Sequence, residues 1–319
     1  MAQITIALAL YKPNMRWLEE ELQSIEYQTY QDFKLLVWND CPEDEKDYLP
    51  VFRKYLSRIP VSVYKGEKNL GSNGAFEKLT ELTDTPYIAY CDQDDVWLPE
   101  KLEMLKSAIE KRDVDLVCSN MNVIDAGDHL VAKRIEDVRP HQKAPRGNDL
   151  FSTLLSRNFV TGCTILMRTS CAKAAIPFAN NLYHDHWLAI CAAMGKGIYM
   201  IQKSLINYRI SGENQTATLK GIRTKEDYYK HKILLDDKRL QEIGARIHAT
   251  GIYREAIMER KRWVAFRKNY VQEPSFSSFL QLYGKRKCGM GITFFELVLP
   301  FMPDRLFSKL IFNIQKGKI

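Results

Sequence analysis

The stretch PYIAYCDQDDVW, residues 86–97, joins an apolar run to a cluster of acidic residues. Its first half is typical of a buried β-strand, and Asp92, Asp94 and Asp95 follow directly. An isolated buried carboxylate is so costly that it normally neutralises or pairs with a cation. The cluster therefore predicts a metal, a basic partner or open solvent at the end of this strand.

Strand and helix patterns alternate on both sides of this stretch. Apolar, β-branched runs predict strands, and apolar residues at helical spacing predict helices. The predicted strands cover 3–10, 33–40, 61–66, 87–92 and 114–120, and the predicted helices cover 15–29, 71–82 and 98–112. This alternation indicates an α/β fold with a mostly parallel central sheet, and such sheets bind ligands at the carboxyl ends of their strands.

The composition places the chain among globular proteins. With 319 residues, 45% of them hydrophobic, it can bury a sizeable core in one large domain or two unequal ones. Seven scattered cysteines without CxxC spacing argue against a disulfide framework or a structural zinc site. The first residues lack a basic n-region and a cleavage site, and no apolar run approaches 18 residues, so we expect a cytoplasmic protein.

The positive charge is concentrated in the C-terminal third. Residues 217–319 contain 21 Lys and Arg against 10 Asp and Glu, whereas residues 1–216 have a net charge of −4. The patterns at 226–248 and 252–270 predict amphipathic basic helices. Their charge and the apolar clusters that follow indicate peripheral attachment to an anionic membrane surface. A helical appendage that packs on the first domain, or that forms a dimer, explains the pattern equally well.

The acidic cluster itself allows two interpretations. In an extended segment Asp92 and Asp94 point to the same side, which suits Mg²⁺ or Mn²⁺, and Asp95 faces the other way. In the simpler interpretation Asp95 caps the helix that begins near Leu98, and the other two acids are solvated.

Several motifs in order resemble one protein family. ITIALALYKPN, FKLLVWND, NLGSNGAF and YIAYCDQDDVWLPEKLE together look like the nucleotide-sugar-binding half of the family 2 glycosyltransferases, which have the GT-A fold. The resemblance covers roughly residues 3–216, and the predicted domains are therefore a GT-A catalytic domain at 1–216 and a basic, mainly helical region at 217–319. DQDDVW and HDHW (184–187) resemble the bacterial branch that includes rhamnosyltransferases of surface polysaccharide synthesis.

The resemblance implies a nucleoside-diphosphate sugar as donor. Tyr11 would pack on the base, and Asp40 would accept a hydrogen bond from N3–H of uracil or thymine, which favours a dTDP- or UDP-sugar. Both residues also fit simpler roles, as a core aromatic and a turn residue. Asn69 and Gly71 belong to a loop that lets backbone approach the donor phosphates. Asp92 and Asp94 would hold the Mg²⁺ or Mn²⁺ ion that bridges the diphosphate.

The resemblance also implies an acceptor side. Asp185 matches the general base that deprotonates the acceptor hydroxyl, and single displacement at the anomeric carbon gives inversion. Thr161, Gly162 and Cys163 resemble the acceptor loop, and Trp187 offers a face on which a sugar could stack. His184 and His186 could instead form a metal site or cap the following helix.

One position departs from the family pattern. Many relatives carry Tyr-Arg-x-His, whose histidine completes the metal shell, but Ser211 occupies that place here. Serine is a poor metal ligand by comparison, which leaves water, the donor phosphates or His186 to complete the shell. Arg209 could supply positive charge to the diphosphate.

These observations predict an inverting glycosyltransferase of the hexosyltransferase class. It would move a sugar, with rhamnose the first choice, to a cell-surface polysaccharide or a lipid-linked glycan at the inner face of the membrane. Two alternatives remain at this point, a nucleotidyltransferase and a degenerate domain that binds nucleotide or glycan without turnover. No recognised motif indicates nucleic-acid binding.

Overall fold

The chain divides into two units of different architecture. The computed structural model describes residues 2–145, 149–211, 219 and 221–315. The first unit is Met1–Ser211 and the second is Gly212–Ile319. The predicted domain boundary between residues 216 and 217 lies outside the described residues.

One mixed β-sheet forms the centre of the first unit. Its strands are β1 (Ile4–Leu10), β2 (Phe33–Asn39), β3 (Val61–Lys65), β4 (Tyr87–Cys91), β5 (Val96–Trp97), β6 (Leu116–Ile124), β7 (Leu130–Ala132), β8 (Ile165–Arg168) and β9 (Ile198–Arg209). They lie in the order β3-β2-β1-β4-β8-β6-β9-β5, and β7 pairs with β6. The pairs β1–β2, β1–β4, β2–β3 and β6–β9 are parallel. The predicted strands and the mostly parallel arrangement of the main strands are confirmed.

The helices of this unit cover the sheet through apolar faces. They are α1 (Met15–Glu26), α2 (Leu49–Tyr55), α3 (Gly71–Leu82), α4 (Lys101–Arg112), α5 (Ile135–Val138), α6 (Leu150–Leu154), α7 (Thr169–Ala174) and α8 (His184–Met194). Leu18, Leu22 and Ile25 of α1 are fully buried against the sheet, as the helical spacing predicts. Asn14 begins α1 by accepting hydrogen bonds from the amides of Arg16 and Trp17.

The antiparallel strands were not predicted from the sequence. β8 lies between β4 and β6 and is antiparallel to both, and β5 is antiparallel to β9. Because β8 has only four residues and β5 only two, neither gives a recognisable alternation in the sequence. β8 follows directly on the 161–163 loop, and its pairing with β4 brings that loop to the acidic cluster.

The second unit is helical in the part that the structure describes. It begins with α9 (Lys225–Tyr228) and α10 (Leu234–Arg246), which a π-helical turn (Tyr229–Ile233) joins. The helices α11 (Gly251–Gln272), α12 (Phe276–Gly284), α13 (Met290–Val298) and α14 (Asp304–Gln315) follow. Its interior contains the ion pair of Arg267 with Glu296, to which Tyr228 donates a hydrogen bond of 3.0 Å. Among the described residues, no helix is both long and apolar enough to cross a bilayer.

Candidate functional site

Three of the predicted donor residues follow adjacent strands: Tyr11 follows β1, Asp40 follows β2 and Asp92 follows β4. Leu10 pairs with Asn39 in register, and the amide of Asp40 donates a hydrogen bond of 2.8 Å to the carbonyl of Leu10. β1 lies between β2 and β4, and the order of the strands along the chain changes direction there. In open α/β sheets this switch point leaves a crevice at the carboxyl ends of the strands, where ligands bind.

A side-chain clamp connects the end of β1 to the acidic cluster. The amide of Tyr11 donates to Oε1 of Gln93 at 2.8 Å, and Nε2 of Gln93 donates to the carbonyl of Tyr11 at 3.0 Å. The Tyr11 side chain is exposed, and Nζ of Lys12 lies 5.3 Å from its ring centroid. The geometry leaves the ring accessible, as the predicted role of packing on a base requires. No sequence pattern indicates the clamp, because it joins residues 82 positions apart.

Asp40 is buried and connects β2 to the 69–71 loop. Its Oδ1 accepts hydrogen bonds from the amide of Leu70 at 2.9 Å and from Nε1 of Trp38 at 3.2 Å. Oδ1 of Asn69 accepts from the amide of Gly71 at 2.8 Å. Gly71 has a φ of +70°, a conformation that side chains other than hydrogen disfavour, so the loop needs glycine there. The structure therefore brings Asp40, Asn69 and Gly71 together.

The acidic cluster has a different arrangement from the predicted one. The chain bends after Asp92 instead of continuing extended. Potential ligand atoms of Asp92, Asp95 and Cys163 consequently lie within 4.8 Å of one another, whereas Asp94 is not in this group. The expectation that Asp95 points away from Asp92 is therefore wrong. Asp95 does not cap α4 either, since that helix begins at Lys101 with Glu100 in the capping position.

The carboxylates of Asp92 and Asp95 fit a divalent cation, and the Cys163 thiol, whose pKa burial raises well above its usual value, lies beside them. Asp95 is fully buried, and its Oδ1 accepts from the amide of Arg209 at 2.9 Å. Burial, and then repulsion from Asp95, raises the pKa of Asp92 well above its usual value and that of Asp94 to about 7. A cation would remove this electrostatic cost, and carboxylate oxygens are the ligands that Mg²⁺ and Mn²⁺ prefer.

Arg209 holds the acidic cluster in place from the end of β9. Its side chain is fully buried, and Nε donates to the carbonyl of Asp94 at 2.8 Å. The guanidinium also pairs with Glu20 at 2.8 Å and with Asp128. A guanidinium enclosed by two carboxylates and a carbonyl is poorly placed for the predicted contact with a diphosphate. Its geometry indicates a positioning role instead.

Asp185 lies at the start of α8 with its carboxylate fixed by three N–H donors. Oδ1 accepts from Nδ2 of Asn158 at 3.0 Å and from the amide of His186 at 2.6 Å, and Oδ2 accepts from the amide of Gly162 at 3.2 Å. Burial raises the pKa of Asp185 to about 6, despite these hydrogen bonds. A carboxylate with a pKa near neutrality is suited to general-base catalysis.

The 161–163 loop connects Asp185 to the acidic cluster. Gly162 donates to Asp185, and Cys163 is part of the group around Asp92. The charge of Asp185 also contributes to the raised pKa of Asp92, so the two carboxylates interact electrostatically. The carbonyl of Thr161 accepts from the hydroxyl of Thr164 at 2.7 Å, which closes a short turn before β8. The loop therefore places the predicted base, Asp185, near the group of Asp92, Asp95 and Cys163.

The two histidines of HDHW contact protein groups, and neither belongs to the group around Asp92. His184 is buried, with its ring centroid 4.1 Å from that of Phe76, and a Cβ at position 162 would lie 2.6 Å from its Nε2. Burial lowers the pKa of His184 to about 3, which keeps the ring neutral. Nε2 of His186 lies 2.6 Å from the carbonyl of Leu154. This contact occupies Nε2 of His186, and Cys163 is the third member of the group around Asp92.

Trp187 lies in the interior, which disfavours its predicted role in stacking on an acceptor sugar. It is 4% exposed, and its indole N–H donates to the carbonyl of Ala175 at 2.8 Å. The helix is buried on all sides in this segment, since the consecutive residues 187–190 are all buried. The position next to the predicted base suggested function, but the residue packs in the core.

A buried lysine below the acidic cluster was missed in the sequence. Nζ of Lys101 donates to the carbonyl of Cys163 at 2.7 Å and lies 3.1 Å from the ring centroid of Trp97. Burial lowers the pKa of Lys101 to about 8. The sequence does indicate its burial, since Lys101 lies four residues before Leu105 and therefore on the apolar face of α4. Its hydrogen bond to the carbonyl of Cys163 fixes the 161–163 loop.

Comparison with known proteins identifies the family of this chain and several relatives. The model of the family "Glycosyl transferase family 2" matches residues 14–174. The uncharacterized glycosyltransferase MJ1057 of Methanocaldococcus jannaschii is 24% identical over 65% of this chain and 70% of its own length. The Escherichia coli protein WfgD, named as a UDP-Glc:α-D-GlcNAc-diphosphoundecaprenol β-1,3-glucosyltransferase, is 26% identical over 54% of this chain. That alignment spans 64% of WfgD, less than two thirds of its length.

Solved structures share the fold at low sequence identity. The S. aureus TarS fragment 1–349 in complex with UDP-GlcNAc is 14% identical, with a TM-score of 0.58 over 99% of this chain and 88% of the fragment. The mannosyltransferase PcManGT from Pyrobaculum calidifontis in complex with GDP-Man and Mn²⁺ is 13% identical, with a TM-score of 0.53 over 99% of this chain and 86% of PcManGT. The predicted GT-A fold with a C-terminal helical segment is confirmed, and the chain belongs to glycosyl transferase family 2.

Proposed function

We propose that the protein is an inverting glycosyltransferase that uses a nucleoside-diphosphate sugar. The observation that carries the proposal is the position of Asp185, fixed by Gly162 beside a group of carboxylates that suits a divalent cation. A base and an anion-binding centre connected by one loop are the two elements that glycosyl transfer requires. A nucleotidyltransferase needs no such base on the acceptor side.

The donor would occupy the crevice at the ends of β1, β2 and β4. Tyr11 presents an exposed ring for the base, and Asp40 offers carboxylate oxygens that suit N3–H of uracil or thymine. We place dTDP-rhamnose first and UDP-sugars second. The names of WfgD and of the TarS complex, which mention UDP-sugars, support a uridine nucleotide.

Asp92 and Asp95 would hold a divalent cation, Mg²⁺ or Mn²⁺, with Asp94 and Cys163 next to them. When bound, such an ion neutralises negative charge on the departing diphosphate. Arg209 contributes by fixing the backbone of Asp94 and Asp95. The Mn²⁺ in the PcManGT complex supports the use of a divalent cation.

Asp185 would act on the acceptor. Its carboxylate takes the proton of the acceptor hydroxyl while the hydroxyl oxygen forms a bond to the anomeric carbon, and the bond from that carbon to the diphosphate breaks. One displacement inverts the configuration, and the nucleoside diphosphate departs with the bonding electrons. The Asn158, His186 and Gly162 donors keep the carboxylate oriented. The name of WfgD supports a lipid-linked glycan as acceptor.

Product analysis tests the proposal. The protein is incubated with dTDP-rhamnose or UDP-sugars and a diphosphoundecaprenol-linked sugar, and the released phosphate compound and the new linkage are identified. We expect a nucleoside diphosphate and an inverted anomeric configuration by NMR. Release of a sugar 1-phosphate in place of a nucleoside diphosphate would favour a nucleotidyltransferase, and retention of configuration would contradict the role of Asp185.

A further inference from the structure

Two apolar stripes are exposed on neighbouring helices of the second unit. Phe276, Leu280 and Tyr283 recur at helical spacing along α12, and Phe276 is 78% exposed. Met290, Phe294 and Val298 recur every four residues along α13, and Phe301, 73% exposed, follows them in a short 3-10 turn. Such periodic exposure indicates a helix face without a covering partner.

The two stripes form one surface, here called the apolar patch. The ring of Tyr283 contacts that of Phe294, with centroids 6.2 Å apart, so α12 and α13 meet along their exposed sides. The opposite sides are anchored in the unit's interior, where Trp263 donates to the hydroxyl of Thr293 at 3.0 Å and Tyr270 donates to the carbonyl of Leu297 at 2.8 Å. The patch is therefore held on a packed support.

The exposed charges within the segment that carries the patch have one sign. Between Pro274 and Pro303 the sequence contains a single carboxylate, Glu296. Glu296 is fully buried and bonds to Arg267 at 2.7 Å, so it does not face solvent. The turn between α12 and α13 carries Lys285, Arg286 and Lys287, of which Lys285 pairs with Glu259 of α11 at 2.9 Å.

A protein partner with an apolar surface would not require this charge pattern. Exposed aromatic and aliphatic side chains beside Lys and Arg, without an exposed acid in the same stretch, match the interfacial region of an anionic bilayer. Aromatic rings enter the boundary between headgroups and acyl chains, and the cations meet the headgroup phosphates. The complementarity is both apolar and electrostatic.

We propose that the apolar patch on α12 and α13, with the basic turn 285–287, attaches the protein to the surface of an anionic lipid bilayer. This surface lies in the second unit and does not depend on the donor chemistry proposed for the first. It gives the basic C-terminal region a specific attachment face. The attachment would bring the chain to the surface in which a lipid-linked acceptor resides.

Vesicle binding of the full chain tests the proposal. Co-sedimentation is measured with vesicles of phosphatidylcholine and with vesicles of equal parts phosphatidylcholine and phosphatidylglycerol. We expect strong binding to the anionic vesicles, weaker binding to the neutral ones, and loss of that difference at high salt, because salt screens the attraction. No binding to either kind of vesicle would overturn the proposal, and equal binding to both would overturn its electrostatic part.

Surface variants separate the two contributions. The triple variant Phe276→Ser, Phe294→Ser, Phe301→Ser should bind anionic vesicles at least about tenfold more weakly, because three apolar side chains no longer leave water. Ile252→Ser, at an exposed position of α11 outside the patch, is the matched control and should bind like wild type. Arg286→Glu with Lys287→Glu should remove the preference for anionic vesicles, whereas Lys111→Glu on α4 should not.

Three control measurements accompany the vesicle assay. Far-UV circular dichroism and the thermal midpoint report whether the triple variant is folded. If the triple variant is unfolded, the single variant Phe276→Ser replaces it and should show a smaller loss of vesicle binding. Release of nucleoside diphosphate in the absence of vesicles should be the same for the triple variant and wild type, so failure of this proposal differs from failure of the proposed reaction. If wild type self-associates but does not bind vesicles, and the triple variant no longer self-associates, the patch would be a dimer interface instead.

Discussion

Replacement of Asp185 by asparagine separates catalysis from structure at one side chain. Three N–H groups donate to the Asp185 carboxylate, two of them to Oδ1 and one to Oδ2. The amide of an asparagine accepts through one atom only. Its preferred orientation keeps the carbonyl toward Asn158 and His186, and its NH₂ then faces the amide of Gly162. The variant therefore loses one hydrogen bond and the base together.

The two losses have different magnitudes and are measured in different ways. One buried donor without a partner costs about 1–3 kcal/mol of folding free energy, which a denaturant titration measures. Loss of general-base assistance costs about 10²–10⁴ in rate, which corresponds to roughly 3–5.5 kcal/mol of activation free energy. Asp185→Asn should therefore remain folded, transfer sugar at least about a hundredfold more slowly, and bind nucleoside diphosphate as wild type does.

Asn158→Ala is the matched control. It also removes one hydrogen bond from Asp185, together with the bond of 3.0 Å that Oδ1 of Asn158 accepts from the amide of Val160, but it leaves the carboxylate in place. We expect a loss of stability at least as large and less than about a tenfold change in rate, since proton acceptance is retained. A turnover of Asp185→Asn close to that of Asn158→Ala would refute the assignment of Asp185 as the base and would direct attention to other groups of the acceptor side.

Further predictions concern pH, metal and the loops that hold the site. The kcat/KM for the acceptor should fall as the pH drops through about 6, because burial raises the pKa of Asp185 to about 6 and only its deprotonated form accepts a proton; a flat profile between about pH 5 and 8 would contradict this. Chelation by EDTA should weaken the binding of nucleoside diphosphate in calorimetry, and Asp95→Asn should reduce the dependence of this binding on metal. Full activity in excess EDTA would show that Asp92 and Asp95 have another role. Arg209→Met should destabilise the fold by about 3 kcal/mol in denaturant titration, because Glu20 and the carbonyl of Asp94 lose their donor; an unchanged midpoint would contradict its positioning role. Gly162→Ala should lower stability by about 1–3 kcal/mol, since its Cβ would lie 2.6 Å from the His184 ring; a stability equal to that of wild type would show that the ring can move.

The regular strands and helices could be predicted because their periodicity is visible in single segments. β1, β2 and β4 and the helices α1, α3 and α4 have apolar residues at the spacing of their secondary structure. The short strand β8 could not be predicted in the same way, because its pairing with β4 and β6 depends on residues distant in the chain. This pairing brings Cys163 to the acidic cluster.

Side-chain direction was the less predictable part of the site. The two-residue alternation assigned to Asp92 and Asp94 holds for an extended strand, but the chain bends after Asp92, which groups Asp95 with Asp92 instead. The positive charge of Arg209 suggests contact with a diphosphate, and the ring of Trp187 suggests stacking on a sugar. The structure shows both side chains buried, with their polar groups bonded to protein atoms. Residue type indicates what a side chain can bind, whereas burial decides whether a ligand can reach it.

Calorimetric titration of the wild-type chain with UDP-, dTDP- and GDP-sugars, each with and without Mn²⁺, tests the central claim most directly. The crevice with Tyr11, Asp40 and the group around Asp92 predicts that a dTDP- or UDP-sugar binds, and that Mn²⁺ strengthens its binding. Tight binding of a GDP-sugar without any binding of dTDP or UDP compounds would contradict the assignment of Asp40, and no binding of any nucleotide sugar would contradict the proposed glycosyltransferase.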